Sequence, residues 1–170
     1  RMQADYVVVG AGSAGCAMAY RLAEAGQSVL VIEHGGWDGG PFIQMPAALS
    51  YPMNMGLYDW GFASEPEPHL GGRRLVTPRG KVIGGSSSIN AMLFVRGNSA
   101  DYDGWAKDGA VGWSYDEVLP YFRALESFSR GADEYRGADG PLNVTDHRSR
   151  TAMTQVIIDA AVQAGIAFNE

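Results

Sequence analysis

The sequence predicts an α/β fold that opens with a Rossmann-like βαβ unit, on three observations. Ala4-Asp5-Tyr6-Val7-Val8-Val9 is a β-branched apolar run, the glycine turn Gly10-Ala11-Gly12-Ser13-Ala14-Gly15 follows it directly, and a second apolar run, Ser28 to Ile32, ends on the acid Glu33. A strand, a helix and a strand within about thirty residues make a right-handed crossover between two parallel strands.

Each element has its own signal. Ala4 to Val9 reads as a short strand buried on both faces. Ala14, Cys16, Ala17, Met18, Ala19, Leu22 and Ala23 make Ser13 to Ala25 a helix, which Gly26 stops at C′. The Gly-, Pro- and Met-rich stretch from His34 to Leu57 is too long for a plain connection and is expected to hold at most one short helix, near Ala47. Asp59 to Ser64 and Arg74 to Thr77 are expected to pair as a short hairpin, and Ser86 to Val95 and Ser99 to Lys107 read as helices. Ser114-Tyr115-Asp116-Glu117 is a capping box that opens a helix to about Phe128, with Pro120 inside it. Leu142 to Thr145 reads as a strand, and Thr151 to Ala164 as an amphipathic helix ended by Gly165. Two parallel strands alone are marginal in water, so the chain is expected to be an N-terminal piece of a larger fold.

Composition excludes several functions. With 46% hydrophobic and 19% charged residues the chain has the profile of one globular domain. A single cysteine, Cys16, permits neither an internal disulfide nor a cysteine metal cluster and favours a reducing, cytoplasmic setting. The formal net charge of −6, without a basic block, argues against a nucleic-acid partner. No apolar run approaches the roughly 20 residues of a transmembrane helix. The 23 glycines are about twice the ordinary share, and they cluster at 10–15, 35–40 and 80–85.

In the first cluster Gly10 permits a sharp turn, Gly12 lets backbone amides approach a pyrophosphate, and Gly15 lets the helix pack closely on the strand. Unpaired amides and the positive end of the helix dipole favour an anion there. Glu33 stands where an acid accepts both ribose hydroxyls and disfavours a 2′-phosphate. Ala19, Leu22, Gly26 and Val29 keep the spacing of the fuller dinucleotide fingerprint, which leaves FAD and NAD both open.

A second motif, Gly80-Lys81-Val82-Ile83-Gly84-Gly85-Ser86-Ser87-Ser88-Ile89-Asn90, sets two glycines before three serines that can cap a helix and offer amides and hydroxyls to an anion. A separate cradle so far from the first suits a cofactor with a long body. This run, continued by Phe94, Gly97 and Asp103, resembles the first signature of the glucose-methanol-choline (GMC) oxidoreductases. Glu33-His34-Gly35-Gly36, Tyr58-Asp59-Trp60, Arg96-Gly97-Asn98 and Trp113-Ser114-Tyr115 extend the resemblance, which runs from about Asp5 to Gly140. Glu65-Pro66-Glu67-Pro68 followed by Arg73-Arg74 looks nearest to the choline dehydrogenase-like alcohol dehydrogenases of that family.

The resemblance implies a Rossmann-like FAD-binding domain, here residues 1–145, with 146–170 beginning a substrate domain or a return helix. It implies oxidation of a small alcohol by hydride transfer to flavin N5, with the remainder of the same protein as partner. Gly10, Gly12, Ser13, Ala14 and Gly15 would hold the pyrophosphate, Glu33 the adenosine ribose, and Trp60 would lie near the adenine. Val82, Gly84, Gly85 and Ser86 would pass along the cofactor, while Asn90, Ala91, Met92 and Leu93 would line the flavin. Ile89 stands where some relatives carry a flavin-linked histidine, so FAD is expected to be non-covalent. The family's catalytic histidine belongs to a C-terminal part of a longer chain, and no residue up to Glu170 corresponds to it. A redox-silent flavin-containing lyase and a non-catalytic FAD-binding fragment are the alternatives.

The other candidates have plainer readings. His34, His69 and His147 lack partners at metal-ligand spacing and read as loop or surface residues. Cys16 reads as a small core residue, Asp101, Asp103, Asp133 and Glu134 as solvated charge, and Met45, Met53 and Met55 as packing rather than a lid. Asn143-Val144-Thr145 matches a glycosylation tripeptide of a kind frequent by chance.

Overall fold

The computed structural model describes residues 2–146 and 151–168. The chain divides into two compact units, Arg1–Leu93 and Phe94–Glu170.

In the first unit, strands β1 (Tyr6–Val9) and β2 (Val29–Ile32) pair in parallel, with Tyr6 opposite Val29 and Val9 opposite Ile32. Helix α1 (Ser13–Glu24) connects them, and Gly26, at φ +79°, turns the chain out of it. The expected double-sided burial of β1 is not found. Val8 is buried, whereas Val7 and Val9 are 55% and 83% exposed, because α1 packs on the strands and no described element covers the face opposite.

The stretch after β2 holds more structure than expected: α2 (Pro41–Gln44), a 3₁₀ turn (Pro46–Ala48) and α3 (Ser50–Met55). Pro41 and Pro46 sit at first helical positions, where a missing N–H costs nothing. The two runs expected to form a hairpin meet through isolated antiparallel bridges, Asp59 to Gly80 and Ala63 to Val76, with Glu67 to Arg73 nearer the turn. The helix expected from Ser86 to Val95 shrinks to one 3₁₀ turn, Gly85–Ser88. Ser87 and Ser88 donate their hydroxyls to the carbonyls of Gly84 and Ile83, at 2.6 and 2.7 Å, which competes with helix continuation. Met92 then adopts a left-handed φ of 57°, which a helix cannot contain.

In the second unit, Asn98 caps α4 (Ser99–Lys107) by accepting the Ala100 N–H at 2.9 Å. Helix α5 (Tyr115–Leu125) opens as the capping box predicts, with the Glu117 carboxylate accepting the Ser114 N–H at 3.1 Å and its hydroxyl at 2.6 Å. It stops at Leu125 rather than Phe128. Glu126–Phe128 become strand β3, parallel to β4 (Leu142–Val144). The cause is Glu126, fully buried, whose carboxylate Arg96 grips from one side and Arg136 from the other, with Arg136 Nε 2.7 Å from Oε1. Gly140 permits this close packing, since a Cβ there would lie 2.2 Å from the Leu125 carbonyl carbon. Helix α6 (Ala152–Gln163) is capped by Thr151, and none of its residues is buried. Among the described residues no helix is long and apolar enough to cross a membrane.

Candidate functional site

The first glycine turn joins β1 to α1 in the geometry the sequence implies. Gly10 lies at φ +95°, and a Cβ on Gly15 would come within 1.9 Å of the Gly10 carbonyl oxygen, so the helix enters with no room for a side chain. Gly12 differs: a Cβ there would meet no protein atom within 4 Å. It is the helix N-cap and offers no side chain, and the amides of Ala14 and Gly15 meet no acceptor among the described residues. The twelve-residue helix thus presents donors and the positive end of its dipole to open space.

Glu33 reaches this turn from the end of β2. Its Oε2 accepts the Ala11 N–H at 2.7 Å and its Oε1 accepts the Gly35 N–H at 2.8 Å. The Gly35 amide, then the Ala11 amide, hold its carboxyl below the ordinary glutamate value. Each oxygen keeps a second lone pair for a hydroxyl donor. Gly35 packs tightly against the second motif: a Cβ there would lie 2.2 Å from the backbone of Lys81 and Val82.

The two glycine motifs, expected as separate cradles, meet. Gly84 donates its N–H to the Ala11 carbonyl at 2.7 Å, Gly12 and Gly84 form a parallel bridge, and Gly36 and Val82 form another. Gly85 passes so close that its Cβ would come within 3.0 Å of Gly12 Cα. Val82 is fully buried beneath this junction. Two of the three serines turn their hydroxyls inward, while Ser86 keeps its O–H donor uncommitted among the described residues. Ser86 Oγ accepts the Gly80 N–H at 3.1 Å, and those of Ser87 and Ser88 are spent on carbonyls of their own turn.

Trp60 stands beside Glu33's neighbour. Its indole stacks on His34, with ring centroids 5.0 Å apart, and Lys81 Nζ lies 4.9 Å over it. Asn90 and Met92 line a cleft of about 230 Å³ with Phe42, Met45, Leu49 and Ser88. Ala91 and Leu93 do not line it, and Leu93 is 83% exposed. Ile89 is buried.

The remaining candidates take modest places. Cys16 is exposed rather than in the core, because nothing described covers that side of α1, and its thiol donates to the Ala11 carbonyl at 3.3 Å. His69 sits in a 3₁₀ turn, Pro68–Leu70, while His147 lies outside the described residues. Asp103 accepts the Tyr115 N–H and Asp133 those of Tyr135 and Arg136, so both hold turns.

A family model described as GMC oxidoreductase matches residues 4–170. The chain belongs to the GMC oxidoreductase family. It is 56% identical over 170 residues to an oxygen-dependent choline dehydrogenase of Brucella anthropi, a match covering 99% of this chain and 31% of that protein. Among solved structures it is similar to a pyridoxine 4-oxidase from Mesorbium loti (TM-score 0.84, 37% identity, 95% of this chain and 32% of that one). It is also similar to an FAD-dependent oxidoreductase from Chaetomium thermophilum (TM-score 0.85, 33% identity, 96% and 30%). This GMC chain therefore spans about a third of the length of the relatives it matches.

Proposed function

We propose that this chain is the N-terminal FAD-binding part of a GMC oxidoreductase that oxidises a small alcohol, residues 1–145 belonging to the cofactor domain and 146–170 beginning the next segment. The observation that carries the reading is the junction of the two glycine motifs at Gly12 and Gly84. It leaves a side-chain-free surface before an uncapped helix, which fits a diphosphate flanked by larger groups. Gly10, Gly12, Ser13, Ala14 and Gly15 bind the pyrophosphate through amides and the helix dipole. Glu33 uses its free lone pairs to accept the adenosine ribose hydroxyls, and Trp60 marks the adenine end. Val82, Gly84, Gly85 and Ser86 carry the backbone along the cofactor, and Asn90, Ala91, Met92 and Leu93 line the flavin.

Bound FAD supplies a two-electron acceptor for the hydride of an alcohol carbon. The chain's contribution is to bind and orient it. Ile89, buried and without a nucleophilic atom, keeps the attachment non-covalent. The base that takes the alcohol proton belongs to the rest of the protein, which is this chain's first partner. The substrate is an alcohol, and the names of the relatives make choline the first to try.

Anaerobic addition of choline and of simple primary alcohols to the full-length protein tests the reading. Loss of the oxidised flavin absorption with at least one of them is the expected result. A bound flavin that stays oxidised with all of them points instead to a redox-silent lyase.

A further inference from the structure

Ribose binding alone does not account for the bonds Glu33 makes within the chain. Both of its carboxylate oxygens are already engaged by backbone, Oε2 by the Ala11 N–H at 2.7 Å and Oε1 by the Gly35 N–H at 2.8 Å. Ala11 is buried, and its peptide is a hub. Its N–H goes to Glu33, and its carbonyl accepts the Gly84 N–H at 2.7 Å and the Cys16 thiol at 3.3 Å. Ala11 also stands between the two glycines whose conformation and openness shape the turn, Gly10 at φ +95° and Gly12.

We propose that Glu33 is a positioning residue for the pyrophosphate turn, holding the Ala11 peptide in the orientation that joins the two glycine motifs, in addition to any contact with ribose. The inference rests on the FAD reading above and deepens it. One carboxylate holds the end of β2, through Gly35, to the turn after β1, through Ala11. The Ala11 carbonyl is thereby presented to Gly84, and the turn that leads into the helix is held in place by bonds of the chain itself. Pre-setting the turn lowers the ordering cost of binding a diphosphate.

The isosteric substitution Glu33→Gln separates the two roles. A glutamine amide can still bond ribose hydroxyls, as donor and acceptor, but it has one carbonyl oxygen for two backbone N–H groups. Charge alone predicts the opposite sign, because removing a carboxylate beside a bound pyrophosphate strengthens anion binding.

The experiment uses the full-length protein freed of flavin and measures binding of inorganic pyrophosphate, which has no ribose, alongside FAD. The expected result is that Glu33→Gln weakens pyrophosphate binding about tenfold, with faster amide exchange at Ala11 and Gly84. Pyrophosphate binding that is unchanged or tighter in the variant, with only FAD weakened, confines Glu33 to ribose and overturns this proposal while leaving the FAD reading intact. A parent protein that takes up neither pyrophosphate nor FAD overturns both. Should the variant fail to fold, exchange in the flavin-free parent decides: a protected Ala11 amide supports the proposal, and an unprotected one overturns it.

Discussion

Gly12 and Gly15, three residues apart, are glycines for different reasons, and alanine at each tests a different thing. At Gly15 the new Cβ would lie 1.9 Å from a backbone oxygen, so Gly15→Ala is expected to destabilise the protein by at least about 3 kcal/mol in chemical denaturation. At Gly12 a new Cβ would meet no protein atom within 4 Å beyond its chain neighbours, and the backbone is extended at φ −78°. Gly12→Ala is therefore expected to leave flavin-free stability within about 1 kcal/mol of the parent, while FAD affinity falls at least about tenfold. A Gly12→Ala protein that binds FAD like the parent would show that the diphosphate does not lie there. Glu33 adds a pH dependence. Its carboxyl is lowered in the fold by the Gly35 and Ala11 amides, so its stabilising contribution is complete above the ordinary glutamate value of 4.5 and is lost as pH falls through the lowered one. Acid titration followed by flavin fluorescence is expected to reveal a release step in that acid range, absent from the Glu33→Gln protein.

Elements with a local signal were legible, and those decided by a distant partner were not. The start of the helix at Tyr115 follows from the Ser114–Glu117 box, and the expected helix of Ser99–Lys107 gains its cap, Asn98, from the structure, each cap lying within one turn of the residues it serves. Ser114→Ala is expected to cost about 0.5–2 kcal/mol, read from the shift in the denaturation midpoint. The end of that helix follows from Glu126, whose guanidinium partners lie 30 residues before it, in Arg96, and ten after it, in Arg136, a pairing that periodicity does not announce. Removing that buried carboxylate leaves two partly buried guanidinium groups without their shared anion, and Glu126→Ala is expected to destabilise by about 3–5 kcal/mol. The serine run after Gly85 misled for a local reason: residues that can cap a helix can also bond their own turn, and Ser87 and Ser88 do the second. Pro41 and Pro46 in turn start short helical turns in a stretch expected to hold at most one short helix.

For the whole molecule, the site was more legible than the core. Glycine spacing after a strand and an acid at the end of the next identify a turn, because that chemistry is local to the backbone. That the two glycine motifs form one junction was not legible, since the Gly84 bond to Ala11 spans more than seventy residues of chain. Burial was least legible: Val7 and Val9 on β1, a strand that read as buried on both faces, are more than half exposed, and so are Met153 and Ile157 on α6. Faces of this kind associate in water. Residues 1–170 made alone are expected to bind a hydrophobic dye and to aggregate with rising concentration, whereas the full-length protein does neither, a comparison that light scattering makes directly.

The central claim, that Gly12 and Gly84 close one non-covalent FAD cradle, is tested most directly by the visible absorption of desalted full-length protein before and after acid precipitation. The account predicts a flavin spectrum that passes into the supernatant, with the released flavin identified as FAD. A yellow pellet would contradict the non-covalent assignment, and a colourless protein that takes up no added FAD would contradict the cradle itself.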